Sequence, residues 1–573
     1  MTSDKIISNL PKHLKSFIID QNYDQYTAQD HAVWRAVMKQ NTKYLNKVAH
    51  SSYIEGLEKT GISIEQIPSI EDMNLALEKI GWAAVTVDGF IPPSAFMEFQ
   101  KHNVLVIAAD IRPANQIGYT PAPDIIHEAA GHAPILADPE YAEYLRYFGE
   151  IGSKAFSSKS DYKIYEAIRH LSILKADPTT SDDKIDLAEK LLAEAIDEAG
   201  MPSEMSLIRN LHWWTVEYGL VGNINNPKIY GAGLLSSIGE SKSALKYKVR
   251  KILYSLDSKD YSFDITAPQP QLFVTPDFTQ LTKVLDEFAN QMAVRNGGLD
   301  GIMKAIESGE TASLEYSSGL QVSGTFTDVI IHMGRPVYIN TTGPTTLNYN
   351  NKMLPSEGPE DHAHGFGSPI GKIKGTLIPT RFLSDDDLNN LGIITGIMSS
   401  FTFESGIKID GKFIKAHRKD DNLIMMTFDK CTVTHNGKTL FEPEWGQYDM
   451  AVGETITSAF SGPADPDGFG LKYDPPKEKT HKIHFDDNTL KLHALYQDVR
   501  DIREGKNTSG DISEIWKKLK SQYPSEWLLP TEILELSQQT SELNELSNDI
   551  KEFLGEVRNT KPESSIIIDN ILE

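Results

Sequence analysis

Two histidines five residues apart occur in the stretch Pro121-Ala122-Pro123-Asp124-Ile125-Ile126-His127-Glu128-Ala129-Ala130-Gly131-His132. A second stretch, largely apolar, reads Trp213-Trp214-Thr215-Val216-Glu217-Tyr218-Gly219 and contains a single glutamate. Two imidazoles and one carboxylate form the ligand set that holds a mononuclear non-haem Fe(II) ion on one face and leaves the opposite face open. The two stretches therefore predict an iron site made of His127, His132 and Glu217.

The five-residue spacing of the histidines differs from the zinc-peptidase pattern, in which the two histidines are four residues apart. Residues five apart on an α-helix are rotated by about 140° from each other and do not share a face. The spacing predicts that the helix ends between His127 and His132. Gly131 would provide a left-handed cap, and Pro134 would prevent further helix.

The sequence around these ligands resembles the pterin-dependent aromatic amino acid hydroxylases, most closely their phenylalanine 4-monooxygenase branch. The resemblance covers roughly residues 20–300, about half the chain. Ordered blocks carry it: Asp30-His31-Ala32-Val33-Trp34-Arg35, Ile111-Arg112, Gly118-Tyr119-Thr120-Pro121, the two stretches above, Tyr230-Gly231-Ala232-Gly233-Leu234-Leu235-Ser236-Ser237-Ile238-Gly239-Glu240, Pro268-Gln269-Pro270 and Phe273-Val274. This many ordered blocks are far more specific than one pair of histidines.

The resemblance implies a role for each matching residue. His127, His132 and Glu217 match the iron ligands, and Glu128 matches a carboxylate near the pterin, which we expect to contribute to catalysis and cofactor binding. Arg112 matches the guanidinium that binds the substrate carboxylate, as suits a planar fork of donors. The remaining matches are Thr120 and Ser236 for orienting the amino acid, Pro123, Trp213 and Val274 for enclosing the aromatic ring, and Gly89, Ile91 and Phe96 for contacting the pterin.

The activity that the resemblance implies is hydroxylation of the ring of a free aromatic amino acid. The co-substrates would be dioxygen and a tetrahydropterin (tetrahydrobiopterin or a related form), with Fe(II) as the metal. The sequence contains no dinucleotide-binding fingerprint or haem-attachment motif that would indicate another electron donor. Val274 is apolar where tyrosine-specific relatives tend to carry a polar residue, and this favours conversion of L-phenylalanine into L-tyrosine.

The alternatives differ in substrate or in class. A tryptophan or tyrosine hydroxylase would use the same iron site. A zinc metallohydrolase would use Glu128 as its general base, but the histidine spacing counts against it. A 2-oxoglutarate oxygenase would need His-x-Asp and a distant histidine, and His484-Phe485-Asp486 is followed almost at once by His493.

The chain also departs from the family pattern. A long interval separates His132 from Glu217, and the apolar spacing within it predicts an inserted helical hairpin at about 155–205. His212 stands where the family usually has a tyrosine beside the pterin, and Arg209 stands where a small residue is usual. These two positions predict a modified pterin pocket and an unchanged iron site.

Composition limits the possible partners and the cellular compartment. A net charge of −24 argues against nucleic acid and anionic membranes as partners. No apolar stretch approaches the roughly 20 residues that span a bilayer, and the first residues do not begin a signal peptide. The single cysteine, Cys431, fits a reducing compartment. We therefore expect a cytoplasmic enzyme whose ligands are small molecules.

A chain of 573 residues is too long for one core, and the patterning predicts three domains. Residues 1–303 would form a mainly α-helical catalytic domain, with helices at Ala28 to Asn41, Ile70 to Ile80, Pro139 to Phe148 and Leu281 to Met292, and a short strand at Val104 to Ala108. Residues 304–480 would form an antiparallel β-rich domain of unknown role, a sandwich or small barrel. Residues 481–573 would form a helical C-terminal segment.

Asp410-Gly411 and Asn436-Gly437, in the β-rich region, are typical hairpin turns.

Two other features of the second half of the chain leave alternatives open. The segment Asp361-His362-Ala363-His364-Gly365 could bind a metal, although two histidines without further ligands nearby in sequence are typical of an exposed loop. In the tail, Leu536, Leu543, Ile550 and Val557 recur every seven residues. This repeat fits either a homo-oligomeric coiled coil or packing against the rest of the chain.

Overall fold

The computed structural model describes residues 2–89, 91–118, 123–176, 180–265, 268–473, 485–506, 512–539, 541–560, 565 and 568–569. Thr120, expected to orient the substrate, lies outside the described residues. So does His484, which belongs to the 2-oxoglutarate oxygenase alternative.

Helices make up most of the described structure in the first 308 residues. They are Ser3–Ser8, Lys12–Lys15, Ala28–Val48, Ser52–Lys59, Ile70–Leu77, Pro93–Lys101, Pro139–Gly152, Lys159–Ala176, Asp182–Asp197, Glu204–His212, Ala232–Leu235, Ile238–Ala244, Phe278–Ala289, Ala293–Asn296 and Gly298–Ser308. Short 3-10 turns lie at Tyr23–Gln25, Glu78–Ile80, Ala114–Gln116, Pro134–Ala137 and Leu256–Asp260. The four helices expected from apolar spacing are present, with ends shifted by a few residues.

Local capping explains where two of these helices begin. The Thr27 hydroxyl accepts a hydrogen bond from the Asp30 backbone N–H, and the Asp30 carboxylate accepts one from the Thr27 backbone N–H. This reciprocal pair fixes the first turn of Ala28–Val48. Asp138 caps Pro139–Gly152, whose first residue is a proline that needs no amide donor there. Both starts could be predicted from sequence because each depends on residues close together in the chain.

Two small sheets complete this part of the chain. Ala83–Val87 pairs in parallel with Val104–Ala108 and antiparallel with Ile18–Ile19. The second sheet has the order Lys228–Ile229, Leu220–Val221, Gln271–Thr275, Arg250–Leu253. The expected strand Val104–Ala108 is confirmed, whereas its partner Ala83–Val87 was not predicted from sequence.

Two helices, Lys159–Ala176 and Asp182–Asp197, lie where the sequence predicted a helical hairpin. Lys175 Nζ and Glu189 Oε1 lie 2.7 Å apart and link the two helices. Asp161 accepts a hydrogen bond from the Ser203 hydroxyl at 2.6 Å, which ties the base of the hairpin to the start of Glu204–His212. The hairpin therefore leads directly into the helix that precedes Glu217.

Antiparallel strands dominate residues 311–461. Thr311–Tyr316, Leu320–His332, Arg335–Tyr349, Lys352–Met353, Gly367–Pro369 and Ile456–Ser461 form one sheet, and Met398–Thr402, Lys408–Lys419, Asn422–His435, Lys438–Phe441 and Tyr448–Ala451 form another. Short helical segments lie at Thr380–Phe382, Asp385–Asn390, Pro443–Trp445 and Pro466–Phe469. Ile302 and Ala305 of helix Gly298–Ser308 pack into the core beneath the first sheet.

One of the two expected hairpin turns is confirmed and the other is wrong. Asn436 and Gly437 have φ angles of 49° and 78° and connect two strands, as the sequence predicted. Asp410 and Gly411 lie instead inside strand Lys408–Lys419, beside a register shift. A Cβ atom at Gly411 would lie only 3.1 Å from Cys431 Sγ, so this glycine allows close packing between strands.

The C-terminal helices are Asp487–Arg503, Ile512–Gln522, Leu528–Ser537 and Asn544–Thr560, with a 3-10 turn at Ser541–Leu543. The heptad positions therefore do not share one helix: Leu536 and Leu543 lie on earlier elements than Ile550 and Val557, which share Asn544–Thr560. Ile550 and Val557 are buried in the same hydrophobic core as Trp34 and Val37 of the first long helix. The Arg35 guanidinium donates to both carboxylate oxygens of Glu532, and both side chains are almost fully buried. In this structure the repeat packs against the N-terminal part of the chain.

No helix in the described ranges combines the length and the apolar character that crossing a bilayer requires.

Candidate iron and amino acid site

The two histidines lie on one turn of π-helix, Ile126–His132. In a π-helix the backbone hydrogen bonds join residues five apart, so side chains at this spacing lie one above the other. The His127 and His132 rings are accordingly 5.0 Å apart between centroids and perpendicular. The predicted helix end between them, with Gly131 as a left-handed cap, is wrong. Gly131 instead allows a close approach, because a Cβ atom there would lie 2.7 Å from the Ala232 carbonyl oxygen.

A second π-helical turn, Trp213–Glu217, carries the carboxylate. Glu217 Oε2 lies 3.2 Å from His127 Nε2, and Glu217 Oε1 lies 3.4 Å from His132 Nε2. The structure thus brings the three expected ligands together from two distant parts of the sequence. Glu128 lies farther out, with Oε2 3.7 Å from His132 Nε2. Side-chain atoms of His127, Glu128 and His132 also lie within 4.8 Å of one another, but Glu217 makes the shorter contacts.

The donor atoms suit a divalent cation. His132 is buried, and its Nε2 makes no hydrogen bond within the described residues. Burial opposes the charge on Glu217, but the His132 and His127 imidazoles outweigh burial and hold its pKa well below the usual range. Burial lowers the pKa of His127, but the Glu217 carboxylate outweighs it and raises this pKa to about 9. A metal ion would satisfy the same carboxylate while keeping both imidazoles neutral.

Ser236 orients His127. Its hydroxyl donates to the Ala232 carbonyl oxygen at 2.8 Å and lies 3.1 Å from His127 Nδ1. Because the hydroxyl proton is directed to the carbonyl, the hydroxyl oxygen accepts the proton on Nδ1. When the imidazole is neutral, as it would be with a metal ion bound, Nε2 is then unprotonated and directed towards Glu217 and His132. A hydrogen bond of this kind fixes both the tautomer and the ring orientation of a metal-binding histidine.

Asp124 connects Arg112 to the histidine turn. Arg112 donates from Nε to Oδ2 at 2.7 Å and from Nη2 to Oδ1 at 2.8 Å. The backbone N–H of His127 donates to Oδ1 of the same carboxylate at 3.0 Å. Asp124 is 0% exposed, and the guanidinium holds its pKa below the usual range although burial opposes this. The position of Arg112 is thus fixed relative to the metal ligands.

Aromatic side chains pack around Trp213, which lies on the same π-helical turn as Glu217. Trp213 stacks on Phe263 with ring centroids 4.2 Å apart and on Tyr218 with centroids 4.6 Å apart. Val274 is buried in strand Gln271–Thr275 and pairs with Leu220, three residues after Glu217. Pro123 is half-buried and directly precedes Asp124. These are the residues expected to enclose an aromatic substrate, with Phe263 as an addition.

The residues expected to contact a pterin lie on neighbouring elements. Gly89, with φ of 68°, and the buried Ile91 follow strand Ala83–Val87, and Phe96 lies on helix Pro93–Lys101. The Phe96 ring contacts His212 edge-on at 5.8 Å between centroids, and His212 Nδ1 lies 3.8 Å from Glu217 Oε1. His212 therefore links the Phe96 side of the site to the metal ligands.

On the side of the site expected to hold the pterin, burial shifts the pKa values of the ionisable groups towards their neutral forms. Burial lowers the pKa of His212 to about 4, so this imidazole is neutral at physiological pH. Burial raises the pKa of Glu128. Burial lowers the pKa of Arg209, one turn before His212, although the Asp161 carboxylate opposes this.

Sequence reasoning missed several residues of this site. Asp124 stands three residues before His127, at the usual distance for a side chain that accepts a hydrogen bond from a first-turn amide, and this signal was available. Two further contacts form only when segments far apart in sequence fold together: Phe263 stacks on Trp213, and the Tyr218 hydroxyl donates to Glu240. Nothing in their local sequence indicated these contacts.

Comparisons with known proteins cover the same part of the chain. The family described as biopterin-dependent aromatic amino acid hydroxylase matches residues 19–173 and 185–297. The match therefore includes most of helix Lys159–Ala176 and most of helix Asp182–Asp197.

Individual relatives agree with this match. Phenylalanine-4-hydroxylase of Mesorhizobium japonicum is 29% identical over 269 residues, which is 46% of this chain and 81% of the relative. Phenylalanine-4-hydroxylase of Pseudomonas aeruginosa is 26% identical over 270 residues, which is 47% of this chain and 86% of the relative. A crystal structure of Chromobacterium violaceum phenylalanine hydroxylase with bound iron(III) and 7,8-dihydrobiopterin is 25% identical. It covers 50% of this chain and 90% of that one, with a TM-score of 0.39.

The histidine and glutamate turns, the elements that support them and the paired Arg112 all lie between the first and last residues of the family match. Residues 19–173 and 185–297, somewhat under half of the chain, thus match the family of biopterin-dependent aromatic amino acid hydroxylases.

Proposed function

We propose that this protein hydroxylates the ring of L-phenylalanine to give L-tyrosine, using Fe(II), a reduced pterin and dioxygen. The observation that supports this most strongly is the convergence of His127, His132 and Glu217, whose nitrogen and oxygen atoms lie 3.2 and 3.4 Å apart. The relatives named phenylalanine-4-hydroxylase support the same substrate. The reduced pterin would supply the two electrons that dioxygen needs for one of its oxygen atoms to enter the ring, and Fe(II) would be the metal at which dioxygen reacts.

In this proposal the metal is held by His127, His132 and Glu217. Three protein ligands leave the remaining coordination positions for small molecules. Because the Ser236 hydroxyl bonds to Nδ1 of His127, the lone pair on Nε2 is left to bind the metal. The role proposed from sequence for Ser236, orienting the amino acid, is therefore extended to orienting the metal ligand.

The substrate is bound by charge at one end and by apolar contact at the other. Arg112 holds the substrate carboxylate through the part of the guanidinium that Asp124 does not use. Asp124 keeps this guanidinium in place, so the distance from carboxylate to ring is set by the protein before binding. Trp213, Phe263 and Val274 surround the ring and exclude water from it.

The pterin would lie beside Phe96, with Gly89 and Ile91 contacting it through the backbone and Glu128 nearby. Support comes from the half-buried Phe96 ring, which contacts the His212 ring. His212 in turn lies beside the Glu217 carboxylate. His212 and Arg209 give this pocket a neutral imidazole and a guanidinium. We therefore expect the preferred pterin to differ from that of relatives with a tyrosine and a small residue at these positions.

The proposed organisation keeps three domains: a mainly helical catalytic domain at 1–303, a β-rich domain at 304–480 and a helical segment at 481–573. A homo-oligomer formed through the C-terminal helix is the weaker half of this proposal, because Ile550 and Val557 are buried against the chain itself. Light scattering coupled to size exclusion tests it. A monomer at micromolar concentration refutes assembly, whereas a dimer that dissociates when exposed positions of the last helix are changed supports it.

The test of the activity begins with anaerobic loading of the full chain with Fe(II). Turnover with phenylalanine, tetrahydropterin and dioxygen is then scored for tyrosine by chromatography. Tyrosine should form with the wild-type chain and should disappear in His127→Ala, whereas His364→Gln, a change at an exposed histidine in the β-rich region, should retain activity. Absence of product from phenylalanine, with product from tryptophan or tyrosine, would reassign the substrate. Absence of product from all three despite bound iron would refute the proposal.

A further inference from the structure

A second group of side chains of the types that bind metals lies in the β-rich region, far in sequence from the proposed iron ligands. Its histidine, His362, belongs to the Asp361-His362-Ala363-His364 segment, which on sequence alone lacked further ligands. The fold supplies two: Glu357, five residues earlier on the same loop, and Asp449 on strand Tyr448–Ala451. A ring nitrogen of His362 and one carboxylate oxygen each of Glu357 and Asp449 all lie within 4.8 Å of one another.

The backbone holds His362 in place. Its carbonyl oxygen accepts a hydrogen bond from the Thr345 N–H at 3.2 Å, and its own N–H donates to the Gly358 carbonyl oxygen at 3.2 Å. Asp361 closes the loop by accepting from the Gly358 N–H at 2.9 Å. His364, two residues on, is exposed, so only one of the two histidines of the segment faces the cluster.

The two carboxylates are also positioned by neighbours. His362 Nε2 lies 2.8 Å from Glu357 Oε2, and Glu357 is almost fully buried. Thr427 donates from its hydroxyl to Asp449 Oδ1 at 2.6 Å, and His417 Nε2 lies 2.9 Å from the same hydroxyl oxygen. Because Thr427 uses only Oδ1, the second carboxylate oxygen of Asp449 remains for a ligand. Hydrogen bonds of this kind to a ligating carboxylate are typical of metal sites.

Charge supports the presence of a cation. One imidazole cannot neutralise two carboxylates, and a partly buried carboxylate without a cationic partner is costly. A divalent ion would neutralise both and leave the imidazole as a neutral donor.

We propose that Glu357, His362 and Asp449 bind a divalent first-row transition-metal ion, for which Zn²⁺ is a suitable probe. One imidazole nitrogen and two carboxylate oxygens form a mixed donor set that Zn²⁺ accepts in four-coordinate sites, with water in the remaining position. Thiolate ligation is ruled out because the single cysteine, Cys431, lies in a separate apolar cluster. The ion would connect the loop after Lys352–Met353 to strand Tyr448–Ala451 of the other sheet, and so would stabilise the junction between the two sheets.

The experiment measures bound Zn²⁺ per chain in full-length protein that has been stripped with a chelator, by calorimetric titration with Zn²⁺ alone. His362→Gln and Glu357→Gln should each bind one equivalent less than the wild type. The exposed neighbours provide matched controls, because His364→Gln and Glu360→Gln change the same residue types on the same loop. Both controls should bind as the wild type does. The difference in bound Zn²⁺ between these variants and the wild type does not depend on whether the site at His127 also takes up Zn²⁺. The test of the second metal site is therefore independent of the test of the proposed hydroxylase.

A structural readout accompanies the stoichiometry. Adding Zn²⁺ to the stripped wild type should raise the melting temperature of the β-rich region, and His362→Gln should abolish this part of the increase. Equal Zn²⁺ stoichiometry in the wild type, His362→Gln and Glu357→Gln would overturn the proposal. Equal loss in His364→Gln and His362→Gln would also overturn it. If one variant fails to fold by circular dichroism, the other decides.

Discussion

Replacing Ser236 with alanine separates two roles for this residue. The sequence predicts that its hydroxyl orients the substrate, whereas the structure places that hydroxyl 3.1 Å from Nδ1 of the proposed iron ligand His127. The serine also bonds to the Ala232 carbonyl, so its rotamer is fixed before any ligand binds. If the structural role dominates, Ser236→Ala weakens metal binding more than substrate binding.

The expected magnitude follows from the hydrogen bond that is lost. Ser236 is buried, so alanine leaves the Nδ1 proton of His127 without an acceptor in a place that water reaches poorly. An unsatisfied buried donor costs about 1–3 kcal/mol. Since about 1.4 kcal/mol corresponds to a factor of ten in an equilibrium constant, we expect the dissociation constant for Fe(II) to rise by roughly 10- to 100-fold.

The assay is an anaerobic titration of stripped protein with Fe(II) against a competing chelator of known affinity, followed by steady-state kinetics at saturating iron. The Michaelis constant for phenylalanine should stay within about twofold of wild type, a change of under 1 kcal/mol. Ser241→Ala is the matched control, because Ser241 is also buried and bonds back to a helix carbonyl, that of Ile238, at 3.3 Å. An unchanged iron affinity with a tenfold higher Michaelis constant would refute our reasoning and restore the substrate role.

Three further predictions concern other parts of the molecule. Asp124→Asn removes the anion that neutralises the buried Arg112, so we expect the free energy of unfolding of the catalytic region to fall by about 3–5 kcal/mol, measured by chemical denaturation, with a change under 1 kcal/mol contradicting the argument. Glu532→Gln breaks the buried ion pair with Arg35, so amide hydrogen exchange should accelerate in helices Asp487–Arg503 and Leu528–Ser537. The control Glu514→Gln, at an exposed glutamate, should leave hydrogen exchange unchanged. Burial raises the pKa of the Cys431 thiol to about 12, so at pH 8 this thiol should resist a thiol reagent in the native protein and react fully after unfolding in guanidinium. Rapid reaction of the native protein would contradict the buried position of the thiol.

The ligand set was predictable because its residues carry chemistry that is recognisable without coordinates. Two histidines and a glutamate in apolar stretches indicate a metal site, and the long helices followed from apolar spacing and caps such as Thr27. The detail that failed was the backbone between the histidines. A π-helical turn differs from an α-helix by one residue per hydrogen bond, and no residue type in Ile126–His132 specifies it. The wrong turn at Asp410-Gly411 has a related cause, since packing against Cys431 overrides the local preference for a hairpin turn.

The sequence by itself determined which residues are the candidate iron ligands, which part of the chain resembles a hydroxylase and where most long helices lie, because these depend on residue chemistry and on neighbours a few positions apart. Tertiary structure alone decided which side chains meet. Examples are the Ser236 hydroxyl on His127, Asp124 between Arg112 and the histidine turn, and Asp449 beside His362. It also directed the C-terminal heptad towards the body of the chain. Contacts between residues far apart in sequence depend on how whole elements pack, and local sequence patterns carry no information about that packing.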